Sequence, residues 1–164
     1  MRKTIFFVMG VSGTGKTTIG KLLAKENHMP FFDGDDYHPK ENIKKMASGN
    51  ALNDDDRFDW LAELNKLAIE NKTHGAVIAC SALKKNYRVR LKDKIEEKAI
   101  FIHLEGAYED IKKRLDNREN HYMTSALLKS QFEILEPPTE AITISILNTP
   151  KEIILKILSQ LKND

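Results

Sequence analysis

Apolar residues along this chain fall into short unbroken runs, separated by longer stretches in which they recur every three or four positions. The runs cover residues 4–9, 76–80, 99–104 and 141–147, and Phe31 with Phe32 reads as the end of a fifth. Runs this uniformly apolar predict strands covered on both faces, as in a parallel sheet. Helical period marks residues 16–26, 55–71, 84–94, 108–117, 125–135 and 151–161. Strands alternating with helices imply right-handed crossovers and a helix–sheet–helix α/β sandwich. Two segments do not fit as crossover helices. Residues 34–56 are polar and rich in turn formers, and residues 114–124 crowd Arg, Asp, Asn, Glu and His together. Long polar insertions in a compact fold are usually functional or disordered. No internal repeat or linker divides the chain, so residues 1–164 are expected to form one domain.

Composition narrows the picture. A chain of 164 residues is long enough for one well-buried core. Its 26 basic and 24 acidic residues leave a formal charge of +2, too small a global field to suggest nucleic-acid binding, so any anion recognition must be local. The single cysteine, Cys80, excludes an intramolecular disulfide and any multi-cysteine metal motif; it reads as a buried structural thiol in a reducing compartment. The apolar run at 5–9 is too short to span a membrane and no cleavage-site pattern follows it, so a cytoplasmic protein is expected.

The most specific chemical signal is Gly10-Val11-Ser12-Gly13-Thr14-Gly15-Lys16-Thr17, which satisfies G-x-x-x-x-G-K-[ST] between a strand-like and a helix-like run. Glycines at these positions let backbone N–H groups turn inward around phosphate oxygens, and the following helix directs its positive end at the same anion. Lys16 is placed to reach the β- and γ-phosphates, and the Thr17 hydroxyl to ligate the Mg²⁺ that bridges them. Such a loop serves kinases, GTPase switches and motor ATPases alike, so the remaining residues must decide. A guanine-reading Asn-Lys-x-Asp is missing, because Asn71-Lys72 is followed by Thr73 and His74. The run 76–80 leads into Ser81 rather than a magnesium-binding Asp. Acidic residues stand instead at Asp33-Gly34-Asp35-Asp36. If Phe31 and Phe32 end a strand beside the first, these carboxylates emerge at the sheet edge that carries the phosphate loop. One could organise magnesium and another accept the proton of an attacking hydroxyl.

The string His38-Pro39, Asn42-Ile43, Lys45-Met46, Gly49, Leu52, Asp54-Asp55-Asp56-Arg57 and Trp60-Leu61 resembles the second segment of the thermoresistant-type gluconokinase family. Cys80-Ser81-Ala82-Leu83-Lys84-Lys85 with Tyr87-Arg88, then Arg114, Arg118, His121, Met123, Leu127-Leu128 and Ser130-Gln131-Phe132-Glu133, match the same family in the same order. The resemblance implies a P-loop kinase fold like that of adenylate and shikimate kinases: a five-stranded parallel sheet, a substrate-binding segment at about 34–75 and a mobile lid at about 114–124. It also implies phosphorylation of D-gluconate by ATP to 6-phospho-D-gluconate, with Mg²⁺. ATP and gluconate are then the expected partners, with no nucleic acid and no membrane; a homodimer is left open. A kinase of the same fold acting on another small acid such as shikimate, or a non-catalytic nucleotide-binding module, are the alternatives.

Under that resemblance Asp35 is the preferred base for the primary hydroxyl and Asp33 assists Thr17 at the metal, although the two acids are interchangeable on sequence alone. Val11, Ser12, Gly13, Thr14 and Thr18 complete the expected ATP-binding set together with Gly10, Gly15, Lys16, Thr17 and Arg114. A polyol bearing one carboxylate needs a cation and several hydrogen-bonding groups; Arg57, Lys84 and Arg88 are the candidate cations, and His38 a partner for a sugar hydroxyl. Arg114 and Arg118 share a helix face if that helix continues, and Arg118 is expected to stabilise the transferring phosphoryl group. Trp60 reads as core.

Overall fold

The computed structural model describes residues 3–118 and 124–163. Five parallel strands, β1 (Ile5–Met9), β2 (Phe31–Asp33), β3 (Ala76–Ala79), β4 (Ala99–Glu105) and β5 (Ile142–Ser145), lie in the order β2-β3-β1-β4-β5. β1 is buried along its whole length, as its unbroken apolar sequence requires of a central strand covered on both faces. β2 is an edge strand paired with β3 rather than with β1, which corrects the placement expected beside the first strand. The acidic edge survives the correction, because Val8 of β1 and Asp33 of β2 both stand level with Ala79 of β3. All five strands therefore release their following loops at one edge.

Seven helices flank the sheet among the described residues: α1 (Lys16–Glu26), α2 (Lys40–Ala47), α3 (Asp54–Glu70), α4 (Lys85–Leu91), α5 (Tyr108–Asp116), α6 (Ser125–Ile134) and α7 (Pro150–Lys162). α1 packs on α7, and α3 on α4. α3 begins with a reciprocal capping box, in which the Asn53 side chain accepts from the Asp56 N–H while the Asp56 carboxylate accepts from the Asn53 N–H. α7 repeats the device with Thr149 and Glu152. α2 was not legible as a helix: of its eight residues only Asn42 and Met46 are buried, so its sequence shows almost no apolar stripe. No helix among the described residues is long and apolar enough to cross a membrane. Cys80 is buried at the end of β3 and its thiol is pushed up to about 12, chiefly by desolvation, as an inert structural thiol should be.

Candidate active site

The phosphate loop forms where β1 runs into α1. Gly10 adopts φ +148°, and a Cβ there would meet the Leu104 carbonyl oxygen at 2.8 Å, so the chain turns away from the sheet only because this residue has no side chain. Its N–H donates to the Ser81 carbonyl at 3.2 Å, tying the loop to the segment after β3. Gly15, in the left-handed region, precedes α1, and no side chain caps that helix. The N–H groups of its first turn are then available to an anion, with the helix dipole behind them. Lys16 is half-buried and its Nζ donates to the carbonyls of Gly10 and Val11 at 3.0 and 2.9 Å. Desolvation lowers its pKa, opposed first by the Asp35 charge.

Asp33 and Asp35 of the Asp33-Gly34-Asp35-Asp36 turn both face this loop. The Thr17 hydroxyl donates to Asp33 Oδ2 at 3.0 Å, and Asp33 Oδ1 accepts the Asp35 N–H at 3.1 Å, capping the short 3-10 turn Gly34–Tyr37. The two hard oxygen donors at Thr17 and Asp33 suit a hard divalent cation. Asp35 keeps a solvent-exposed edge, but its carboxyl lines the concave space shared with Lys16. Desolvation there raises its pKa; Lys16 opposes the rise, while Asp33 and Asp36 add to it.

A second, narrower cavity adjoins the phosphate cradle, with Ser12, Lys16 and Asp35 common to both. Trp60 builds its wall: buried at 1% exposure, it donates from Nε1 to the Gly34 carbonyl at 2.7 Å and stacks on His38 with centroids 4.1 Å apart. Trp60 therefore does more than fill the core. Asn42 Nδ2 donates to the Asp56 carbonyl at 2.8 Å and approaches His38 Nδ1 at 3.3 Å. An amide NH₂ can only donate, so Nδ1 is the acceptor and Nε2 carries the imidazole proton. Desolvation, with help from the Arg57 charge, pushes His38 down to about 4 and keeps the ring neutral at physiological pH. Between about 4 and 6.5 the unfolded chain thus binds a proton that the folded one refuses, so stability should fall as pH drops through that window. His38→Gln is expected to remove about 1 kcal/mol of this acid loss, after solvent screening, in thermal unfolding at pH 6.5 and 4.5; identical acid sensitivity in both proteins would contradict it.

Of the three candidate cations, the structure brings two to the cavities. Arg57 lines the narrow cavity and, only 7% exposed, donates from Nη1 to the Leu52 carbonyl at 2.6 Å and to the Tyr87 hydroxyl at 3.3 Å. The Tyr87 hydroxyl in turn donates to Asp54, which also holds Lys84 at 3.0 Å. Lys84 and Arg57 flank a neighbouring opening together with Asp54 and Asp55. Arg88 lines neither of these cavities nor that opening. Its guanidinium is spent on the carbonyls of Ala82, Leu83 and Glu136, at 2.7, 3.2 and 2.8 Å. These bonds brace the loop after β3, where Ala82 is held at φ +46°.

α5 ends at Asp116, so Arg114 and Arg118 do not share one continuous helix; Arg118 follows in a turn, its N–H on the Leu115 carbonyl at 3.1 Å. Both still line one cavity beside the phosphate loop, together with Asn148 and Pro150, and Arg118 also lines the phosphate cradle beside Thr17 and Asp33. Arg114 is anchored to the Ile146 carbonyl at 2.7 Å. Residues 119–123 of the expected lid, with His121 and Met123, lie outside the described residues. Sequence reasoning gave Asn42, Tyr87 and Gln131 no role, although all three fall within its matched motifs. For Asn42 the sequence carries no signal, because its inward position depends on a helix that the apolar pattern does not reveal.

Known proteins resemble this chain over most of its length. The shikimate kinase family profile matches residues 12–162. The probable gluconokinase of Dictyostelium discoideum is 43% identical over 98% of this chain and 88% of its own length. The thermosensitive gluconokinase of Escherichia coli K12 is 47% identical over 81% of this chain and 72% of its own length. The crystal structure of a gluconokinase from Sinorhizobium meliloti 1021 superposes with a TM-score of 0.90 at 35% identity, covering 99% of this chain and 93% of that one.

Proposed function

Because this chain belongs to the gluconokinase family, within the P-loop kinases that the shikimate kinase profile describes, we propose that it transfers the γ-phosphoryl group of ATP to the primary hydroxyl of D-gluconate, giving 6-phospho-D-gluconate and ADP. The observation that carries this reading is the shared wall: Lys16 and Asp35 line both the phosphate cradle and the cavity that holds His38 and Arg57. A donor phosphate and an acceptor hydroxyl in these two spaces would meet at the boundary.

In this reading the loop amides and Lys16 hold the triphosphate tail, and Arg57 forms the cationic end of the acceptor cavity, its planar fork matched to a carboxylate. Lys84 adds a second positive charge nearby. His38 donates from Nε2 to a sugar hydroxyl. Asp35, its pKa raised, accepts the proton of the primary hydroxyl as that oxygen bonds to the γ-phosphorus and the bond to the β-bridging oxygen breaks. Thr17 and Asp33 would hold Mg²⁺, which would offset the negative charge of the phosphates. Arg114 and Arg118 serve the nucleotide side, with residues 114–124 as the lid that excludes water. ATP as co-substrate and one unreactive thiol suit a cytoplasmic enzyme.

The direct test is ADP release with gluconate, idonate, shikimate and nucleosides as acceptors. Gluconate should give the highest kcat/KM; preference for shikimate would favour the other small-acid reading. Arg118 lies against the cradle rather than the acceptor cavity. Arg118→Ala is therefore expected to lower kcat by about a hundredfold while leaving the gluconate KM within a few-fold. A raised KM with kcat kept would make Arg118 a binding residue only.

A further inference from the structure

One side chain reaches the acceptor cavity from a distant part of the chain. Gln131, on α6, accepts a hydrogen bond from the Ser12 N–H through its Oε1 at 2.7 Å, across 119 positions of sequence. Ser12 belongs to the phosphate loop, and Gln131 lines the acceptor cavity beside Lys16 and Asp35. A backbone N–H can only donate, so the carboxamide orientation is fixed by chemistry: the oxygen lies on Ser12 and the NH₂ group forms the other limb of the same plane. Two N–H donors are thereby held at the reacting end of the cavity. α6 is itself fixed there by the buried Leu127 and Leu128, and by the Thr124 hydroxyl capping its first turn. The same cavity carries an acid at Asp35, a cation at Lys16 and the hydroxyls of Ser12 and Ser81.

We propose that Gln131 is a substrate-positioning and specificity-determining residue, whose carboxamide NH₂ donates to the hydroxyl next to the one that is phosphorylated. This rests on the gluconokinase reading, in which that group is the 5-hydroxyl of gluconate. The Ser12 contact pre-orients the donor, so little freedom is lost when the acceptor binds. A site built to hydrogen-bond a substrate hydroxyl discriminates against an analogue that lacks it, because the site's own donor is left unpaired.

The experiment is a cycle pairing Gln131→Met with 5-deoxy-D-gluconate. Met keeps the length of the side chain and loses both the acceptor and the donor. With gluconate, the variant should lose about tenfold in kcat/KM with the ATP KM unchanged and the thermal midpoint kept. Wild-type enzyme should lose a similar factor with the deoxy acid, and the variant should lose nothing further on that substrate. Additive losses, or a shift in the ATP KM with gluconate kinetics intact, would overturn the proposal. Should Gln131→Met fail to fold, Gln131→Glu retains an oxygen for Ser12 while removing the donor, and wild-type kinetics from it would likewise overturn the role. Wild-type protein inert toward gluconate would instead bring down the activity itself, before any variant is compared.

Discussion

Replacing Lys16 with alanine is expected to lower ATP-dependent phosphorylation of gluconate by about a thousandfold without unfolding the protein. Lys16 Nζ rests on the carbonyls of Gly10 and Val11, at the mouth of the cradle, where the bridging charge of a triphosphate must be met. The effect on stability has the opposite sign. Desolvation lowers the lysine's pKa in the folded state, so below that pKa the charged amine costs folding free energy, a cost that disappears as pH rises toward its unfolded value. The variant's thermal midpoint at neutral pH should accordingly equal or exceed that of the parent. Steady-state kinetics and calorimetry on the same preparation check both halves, and substantial residual turnover would count against the role of the loop.

The paired substitutions Asp35→Asn and Asp33→Asn should separate base from metal support. Removing a general base typically costs 10² to 10⁴ in rate, so Asp35→Asn is expected to depress kcat by about a thousandfold with the gluconate KM largely kept. Asp33→Asn should instead raise the magnesium concentration needed for half-maximal rate, because the carboxylate that accepts from Thr17 is gone. The wild-type pH profile provides an independent check. Asp35 has its pKa raised by desolvation, opposed by Lys16 and supported by Asp33 and Asp36, so kcat/KM should fall on the acid side at a higher pH than an ordinary aspartate would give. In Asp33→Asn that limb should move to lower pH, since one of the like charges has been removed. Loss of turnover in Asp33→Asn with Asp35→Asn active would reverse the two roles.

What the sequence reveals here is mostly what is local. The phosphate loop was legible because its strand, glycines, lysine and helix are contiguous, and β1 and α1 fall where the pattern predicts. The partner of β2 was not, since insertion of β3 between it and β1 is a tertiary choice that leaves no local trace. Arg88 illustrates a different limit. A guanidinium in a matched motif looks like an anion ligand, but whether it meets a ligand or three backbone carbonyls depends on where residues 82, 83 and 136 come to lie. Gln131 is the converse case: nothing in the spacing of α6 signals a contact with a loop 119 positions away. α2 escaped because it buries an asparagine where a helix usually buries an aliphatic residue, and that asparagine sets the tautomer of His38.

The central claim is that the cradle and the acceptor cavity meet at Asp35 so that a terminal hydroxyl receives the phosphoryl group. Phosphorus NMR of the product made from gluconate and ATP tests it most directly. The account predicts a phosphomonoester resonance split by the two protons of C6. A signal coupled to a single proton, as from a secondary hydroxyl, or release of inorganic phosphate alone, would contradict it.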